Sequence, residues 1–523
     1  MFNVQPSKKF KVISLGLLVL LNIILRIPSI PHPKGRDAFF IHSLANSINA
    51  FGEARWWDHW LSVFGYFPYS YASGLPFTLS GMSQLLGIDI EQAILVYSIF
   101  FGVLTAFLAF TLAGLIYNNF IFKYAMAFFF SISPGIMLFT TWEASARGPF
   151  MIFLPLLLFV LLKEISLPKK IILGSLSLIF LFSFHHYAIF AVVLTLVYLF
   201  LLIMFKVNSY YNKFSSLNKY SKKANYLYLF LIFGSFMYPF LTHTMITAGS
   251  RYAWMISLIV ANLRFIGPAA FLAIGGIISI SLSERKTFVQ WYFLISLIFM
   301  IPFIYDLTYG MYLLLLYSII FLSVGFRSSI YNSAGSNRQA VKIIAIFIVS
   351  IIVISTFFTA FYNHNRTGQY QYLWHMSEQS YEFGNWVNDR IDKDSRIFMV
   401  AENNYINHVV ALQEDGLSIL IAGTQGRAYG FIDDSYTEYL ERVPATSSYF
   451  YSETVYIAEE RDIYRSMAWY IEARNIRGIK DAYSLDYLIQ SRTYFKRVQG
   501  LDSNTAEIIY TNGVHEVYEL RHI

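Results

Sequence analysis

Long blocks of apolar residues alternate with short polar turns from the start of the chain to about residue 361. An α-helix needs roughly 20 predominantly apolar residues to cross a membrane, and on that measure the sequence predicts about eleven crossings. The segment 170–184 is short for a full crossing. The predicted spans lie near residues 12–30, 90–117, 124–141, 148–163, 170–184, 188–206, 226–246, 264–282, 287–305, 308–325 and 341–361.

The pattern changes after residue 361, where charged residues become frequent and apolar runs shrink to strand length. The last two predicted strands flank Thr511-Asn512-Gly513. Asn-Gly is a strong hairpin signal because both residues of its usual turn adopt positive φ. The sequence predicts a helix at 376–389 and strands at 396–401, 417–422, 507–510 and 514–520.

Together these patterns predict a polytopic α-helical membrane protein with a C-terminal extracytoplasmic α/β domain. The transmembrane domain would cover residues 1–361 and include a large first outer loop, 31–89. The soluble domain would cover residues 362–523. Composition agrees with this division, since 56% of the 523 residues are hydrophobic and 14% are charged.

Charge bias predicts the orientation. Lysine-rich turns alternate along the chain with lysine-poor ones, and the positive-inside rule assigns the lysine-rich turns to the cytoplasm. The N-terminus is then cytoplasmic and the C-terminal domain extracytoplasmic, in a multi-pass protein of the plasma membrane. The net charge of +7 lies mainly in these short turns and does not indicate a nucleic-acid partner. The chain has no cysteine, which excludes disulfides and thiolate metal sites.

Asp37 lies a few residues beyond the first predicted span. A charged side chain so close to the membrane is costly and indicates a structural or functional role. Phe40, Leu44, Ile48 and Phe51 follow it at helical spacing, which predicts an amphipathic helix lying in the membrane interface. Asp37 is then either a helix cap, which stabilises a helix by about 1 kcal/mol, or a functional group.

The first loop carries a family resemblance. Its stretches Gly35-Arg36-Asp37-Ala38-Phe39, Ala45-Asn46-Ser47-Ile48, Trp57-Asp58 and Tyr66-Phe67-Pro68 resemble the first outer loop of oligosaccharyltransferase catalytic subunits and of protein-mannosyltransferase-like relatives. The end of the chain, from Ser484-Leu485-Asp486-Tyr487 to the final hairpin, resembles archaeal members of this GT-C superfamily. The resemblance implies a membrane glycosyltransferase whose donor is a polyprenyl-phosphate-linked (dolichyl-phosphate-linked) sugar.

The resemblance also implies site residues. In this fold the acidic residue after the first span lies in the active site, and Asp37 matches that position. Glu143, in the second outer loop, matches an acidic residue beside it, and the two carboxylates would suit Mg²⁺ or Mn²⁺. The remaining candidates, expected to bind substrate or its phosphate, are Asp58, Arg147, His185, His186, Arg251 and Arg264.

Each of these residues also has a simpler interpretation. Glu143 and Arg147 have the i, i+4 spacing of an ion pair on a helix, which contributes about 0.3–0.5 kcal/mol. His185 and His186 are adjacent and lack the spacing of a chelating pair, so they are either interfacial histidines that only form hydrogen bonds or contacts to the lipid phosphate or the acceptor. Arg251 and Arg264 either contact an anion, as arginines on the outer face suggest, or snorkel at helix ends.

Several functions fit this pattern. The sequence favours transfer of a sugar to a glycan or protein hydroxyl outside the cell. The Trp-Trp-Asp-Tyr-Gly motif that binds the sequon in oligosaccharyltransferases is replaced by Phe383-Gly384-Asn385-Trp386-Val387, which disfavours asparagine glycosylation. A flippase or permease for lipid-linked saccharides is the alternative from another class, and a non-catalytic protein that keeps the fold is a third. Sugar, acceptor and oligomeric state stay open.

Overall fold

The protein is described from a computed structural model. It covers residues 6–54, 60–65, 72–211, 225–235, 263–283, 286–301, 310–334, 339–365, 375–392, 395–400, 419–422, 476, 478, 480–481, 484–492, 498–501 and 503–520. Predictions for residues outside these ranges, including Trp57-Asp58, Tyr66-Phe67-Pro68 and Arg251, lie outside the described residues.

The described residues up to 365 are mostly helical. Their helices are α1 (Lys8–Arg26), α2 (Arg36–Phe51), α3 (Gly74–Leu86), α4 (Ile90–Ile116), α5 (Phe120–Ile132), α6 (Pro134–Phe139), α7 (Arg147–Leu162), α8 (Leu167–Phe184), α9 (Ala188–Tyr211), α10 (Asn225–Ser235), α11 (Leu272–Leu282), α12 (Phe288–Met300), α13 (Gly310–Ala334) and α14 (Gln339–Asn365).

Four helical segments of the described chain are long and apolar enough to cross a membrane: Ile90–Ile116, Leu167–Phe184, Ala188–Lys206 and Gln339–Tyr362. Shorter apolar helices, such as Phe120–Ile132 and Arg147–Leu162, pack beside them. The chain is therefore a multi-pass membrane protein. Each predicted span overlaps a helix, while the count of about eleven crossings stays a prediction.

The predicted span 124–141 is interrupted. Helix α5 ends at Ile132, Ser133 is extended (φ −59°, ψ 141°), and Pro134 begins the short helix α6. Proline has no N–H and forces the preceding residue out of the helical region, so the break follows from Ser133-Pro134. The chain after α6 is thereby directed into the loop that carries Glu143.

Arg26, the last residue of α1, is fully buried among the helices. Its guanidinium donates hydrogen bonds to the carbonyl oxygens of Ser131 (2.9 Å) and Thr140 (3.1 Å). It also donates to Asn22 Oδ1 at 2.7 Å. These neutral acceptors satisfy a buried charge that would otherwise be very costly. The bonds tie the end of α1 to the chain on both sides of α6, close to where the two candidate loops begin.

A smaller α/β unit follows the helices. It contains α15 (Glu378–Arg390) and the strands β1 (Ile397–Val400), β2 (Ile419–Ala422), β3 (Tyr487–Ser491), β4 (Ala506–Thr511) and β5 (His515–Leu520). The strands form one sheet of order β2-β1-β3-β5-β4, in which β1 pairs in parallel with β2 and β3, and β5 pairs antiparallel with β3 and β4. The predicted helix and the four predicted strands are present as α15, β1, β2, β4 and β5, whereas β3 was not predicted.

The closing hairpin is confirmed, but its turn differs from the expected one. Only Gly513 of the Asn-Gly pair has a positive φ, at 85°. Asn512 instead accepts hydrogen bonds through Oδ1 from the N–H groups of Val514 and His515, at 3.1 and 2.9 Å. Asparagine favours this turn because its short amide can replace a backbone acceptor.

The expectation that α2 lies in the membrane interface is wrong. Three of the four residues of its predicted apolar stripe, Phe40, Leu44 and Ile48, are buried in a core formed with α15 and the sheet, and Phe51 is half-buried. Its opposite face is also buried, against α3, α4 and the loop after α6, through Ala38, Ile41 and Ala45. An apolar stripe shows only that a helix face avoids water, and the partner here is protein rather than lipid.

Two glycines delimit α2, and both have positive φ: Gly35 (φ 91°, ψ 142°) and Gly52 (φ 73°, ψ 2°). They differ in their surroundings. A Cβ atom built on Gly35 would meet the Cγ atom of Glu143, whereas one on Gly52 would have nothing within 4 Å. Gly35 is therefore required both by its backbone conformation and by the close approach of Glu143.

We expect Gly35→Ala to destabilise the protein more than Gly52→Ala. Both alanines would carry the backbone strain of positive φ, about 1–3 kcal/mol, but only the first would also displace the side chain of Glu143. Thermal unfolding of the two purified variants measures the difference. Equal losses of melting temperature in both would show that Glu143 does not pack as described.

Candidate active site

The first loop leads from α1 to α2 through an extended segment, Pro33 to Gly35, that is held on two sides. The N–H of Lys34 donates to the carbonyl oxygen of Trp142 at 3.5 Å. On the other side Lys34 pairs antiparallel with His375, and the N–H of Met376 donates to the carbonyl oxygen of Pro33 at 3.0 Å. The membrane helices and the C-terminal unit thus meet at the segment that leads into Asp37.

Asp37 does not cap α2. Gly35 occupies the N-cap position and Asp37 lies in the first turn. The carboxylate of Asp37 instead accepts hydrogen bonds through Oδ2 from Arg147 Nη1 and from Ser145 Oγ, both at 3.0 Å. Asp37 and Arg147 are mostly buried, with about a fifth or less of each side chain exposed. The contact is a charge-assisted hydrogen bond in a partly desolvated place, which is stronger than a neutral one.

Glu143 also lies near Asp37, but it belongs to the loop that precedes α7. Residues 141–146 are not helical and α7 begins at Arg147, so Glu143 and Arg147 do not share a helical turn as the i, i+4 interpretation requires. The side chain of Glu143 packs over Gly35, two residues before Asp37. The structure therefore brings together Asp37, Glu143 and Arg147, which the sequence places in two separate loops.

His185 and His186 lie between α8 and α9 and adjoin this group. Their ring centroids are 4.2 Å apart, and His185 Nδ1 accepts the N–H of Tyr187 at 3.1 Å. Burial lowers the pKa of His186 to about 4, with a further contribution from the charge of Arg147. Burial, His186 and Arg147 hold the pKa of His185 well below 6.5. Both imidazoles are therefore neutral at pH 7, so they would contact a ligand through hydrogen bonds rather than charge.

The remaining predicted residues are not brought into this cluster. Arg264 is exposed, and its guanidinium lies 5.8 Å from the centre of the Phe265 ring. Asp58 and Arg251 lie outside the described residues. Arg147 is thus the arginine that stands beside Asp37 in the described part of the chain.

The cluster does not present a complete ligand set for Mg²⁺ or Mn²⁺. These hard cations need several oxygen ligands at once, yet Arg147 already occupies an oxygen of Asp37. Among the residues that the structure describes, no group of three or more His, Asp and Glu side chains could hold a metal ion. The use of a divalent cation, which the resemblance suggested, therefore stays a prediction.

Three residues near the site were missed by sequence reasoning. Ser145 donates to Asp37. Lys34 is a buried lysine, 1% exposed, next to Gly35. His32 bonds to two glutamates, as described below. A serine two residues before Arg147 and two basic residues close before Asp37 gave a weak signal, because polar residues are common wherever a chain leaves a membrane.

Neither a protein-family model nor a curated protein sequence matches the chain. Among solved structures, the chain is similar to the oligosaccharyltransferase of Archaeoglobus fulgidus, crystallised tethered to an acceptor peptide with the NVT sequon. That match has a TM-score of 0.58 and 13% identity, and covers 93% of this chain and 69% of the other.

The chain is also similar to the oligosaccharyltransferase AglB from Archaeoglobus fulgidus, solved with an inhibitory peptide and a dolichol-phosphate (TM-score 0.58, 11% identity, 92% of this chain and 69% of the other). The mycobacterial arabinofuranosyltransferase AftD is a further match (TM-score 0.55, 12% identity), covering 98% of this chain and 42% of its own longer chain. These neighbours are GT-C glycosyltransferases. Identities this low report architecture alone, and the chain has the fold of the GT-C membrane glycosyltransferases.

Proposed function

We propose that the protein is a membrane glycosyltransferase that transfers a sugar from a polyprenyl-phosphate-linked donor to a glycan or protein hydroxyl. The observation that carries this proposal is the partly buried Asp37–Arg147 pair. It combines a carboxylate suited to accept a proton with a guanidinium suited to bind a phosphate, at 3.0 Å from each other. The dolichol-phosphate bound to the archaeal neighbour of the same fold supports a donor of this class.

The reaction that these groups suit is a displacement at the anomeric carbon of the donor sugar. The acceptor oxygen forms a bond to that carbon while the bond from the carbon to the phosphate oxygen breaks. Asp37 takes the proton of the acceptor hydroxyl as general base. The polyprenyl phosphate leaves as an anion, and Arg147 stabilises the negative charge that develops on it.

Arg147 has a second part in this scheme. A phosphate is a strong partner for a guanidinium, because two parallel N–H groups bind two oxygens. A bound donor would therefore compete with Asp37 for Arg147 and leave the carboxylate available to the acceptor. We propose further contacts to the phosphate or the acceptor for His185 and His186, which lie close enough to Arg147 for its charge to lower their pKa values. The predicted contacts of Asp58, Arg251 and Arg264 stay predictions.

A hydroxyl acceptor is supported by the segment that replaces the sequon-binding motif. Phe383 and Trp386 belong to α15, which packs on the sheet. The ring of Trp386 stacks on Tyr510, with centroids 4.3 Å apart. A side chain engaged in packing is a poor candidate for binding a peptide. We also propose that residues 362–523 form the extracytoplasmic part and that the protein resides in the plasma membrane.

We expect Asp37→Asn to lower the rate of sugar transfer by about 10²–10⁴-fold, because the amide cannot accept the acceptor's proton. Transfer of radiolabel from a polyprenyl-phosphate sugar to an acceptor glycan or peptide measures the rate. Asp89→Asn is the matched control, since Asp89 is exposed and only caps α4 through the N–H of Gln92. Wild-type transfer by the Asp37 variant would remove this residue from the mechanism. Movement of donor across the bilayer without bond formation would indicate a flippase.

Arg147→Lys and Arg147→Gln should separate charge from geometry. Lysine keeps the positive charge but loses the planar fork, so we expect the KM for the donor to rise about tenfold with lysine and considerably more with glutamine. Donor titrations at saturating acceptor provide the measurement. The assignment of Arg147 to the phosphate would be wrong if both variants kept the wild-type KM for the donor.

A further inference from the structure

His32 lies in the first loop between α1 and α2 and bonds to two different parts of the molecule. Its Nδ1 atom is 3.0 Å from Glu91 Oε1, in the first turn of α4. Its Nε2 atom is 3.2 Å from Glu378 Oε2, the first residue of α15. The imidazole also stacks on Tyr381 of α15, with ring centroids 4.0 Å apart and planes inclined by 16°. Only 8% of the His32 side chain is exposed.

The bonds of His32 act on the segment that carries Asp37. His32 is followed directly by Pro33, whose carbonyl oxygen accepts the N–H of Met376, and by Lys34, which pairs with His375. Phe39, in the first turn of α2, packs against Met376 and Tyr381. Any shift of α15 relative to α4 would therefore be transmitted through this short extended segment to the first turn of α2.

We propose that His32 is a positioning residue that connects the C-terminal unit to the first turn of α4 and thereby holds Asp37 against Arg147. His32 does not contact the reacting groups. The inference rests on the proposed transferase function for its kinetic readout, but the connection itself can be measured without activity.

The charge of His32 makes the stabilisation that its two bonds contribute depend on pH. Burial alone would lower the pKa of His32, but hydrogen bonds and charges from Glu91 and from Glu378 outweigh burial and raise it above 6.5. Tyr381 is the other titratable group against the ring, and Lys34 and His375 are the basic groups on the adjoining segments. A histidine with a raised pKa contributes its full stabilisation below 6.5, and the contribution is lost as the pH rises through the raised value.

The first experiment compares hydrogen–deuterium exchange of the full-length protein in detergent for wild type, His32→Gln and Glu382→Gln at one pH. Glu382 is the matched control, because it lies one turn after Glu378 on α15 and is exposed. We expect peptides covering residues 33–39 and 375–381 to exchange at least about tenfold faster in His32→Gln, because segments that have lost the bonds of His32 open more often. Exchange of the same peptides should be unchanged in Glu382→Gln. Unchanged exchange in His32→Gln would overturn the proposal whatever the activity.

The second experiment measures transfer as a function of pH in wild type, Glu91→Gln and Glu378→Gln. Glutamine keeps a hydrogen bond but removes the charge, so the loss of kcat at high pH should occur at lower pH in both variants. The shift should be larger for Glu91→Gln, because the Glu91 side chain is 16% exposed and that of Glu378 is 64% exposed and therefore more screened. The KM for the donor should change less than twofold.

The two experiments distinguish an error in the proposed function from an error in the proposed role of His32. An inactive wild-type protein whose His32→Gln exchange rises would refute the proposed function and leave the connection intact. An active protein whose pH profile is the same in all three forms would show that His32 has no part in positioning Asp37. A purely structural role would change the amount of folded protein without moving the pH profile.

Discussion

The burial of both faces of α2 is the constraint on which the candidate site depends. One face packs on α3 and α4 through small residues such as Ala38 and Ala45, which allow a close approach. The other face places Phe40, Leu44 and Ile48 in the core of the C-terminal unit. Each fully buried side chain of this size contributes about 1.5–3 kcal/mol. The carboxylate at the start of α2 is thereby fixed by apolar contacts that extend into both parts of the molecule.

Two arginines near this helix, Arg26 and Arg147, differ in their hydrogen-bond partners. Arg26 is fully buried and bonded to carbonyl, hydroxyl and amide oxygens, so it is saturated and has no capacity for a ligand. Arg147 instead donates through Nη1 to Asp37 Oδ2, which also accepts from Ser145 Oγ, and it lies beside two histidines whose pKa values are lowered by burial. The bonds of Arg26 go to neutral oxygens, whereas Arg147 is bonded to an acidic group. This difference is why the phosphate contact is proposed for Arg147.

The sequence predicted those features that are set by local composition. Apolar blocks predicted the helices, and short apolar runs together with Asn512-Gly513 predicted the helix and four of the five strands of the C-terminal unit, but not β3. The resemblance of the first loop to GT-C enzymes drew attention to Asp37. The contact of Asp37 with Arg147 spans 110 positions, and no local pattern encodes such a pairing. The sequence also could not show what the apolar stripe of α2 packs against, because a lipid environment and a protein core both favour apolar residues.

The shared core also bears on how the C-terminal unit is stabilised. The chain has no cysteine, so no disulfide holds this unit, and its helix α15 and strands β1 and β3 complete their core with residues of α2. Because α2, which carries Asp37 in its first turn, supplies part of that core, packing of the C-terminal unit and positioning of Asp37 are coupled. Function is then coupled to stability through packing, with the bonds of His32 setting the register in which the two parts meet.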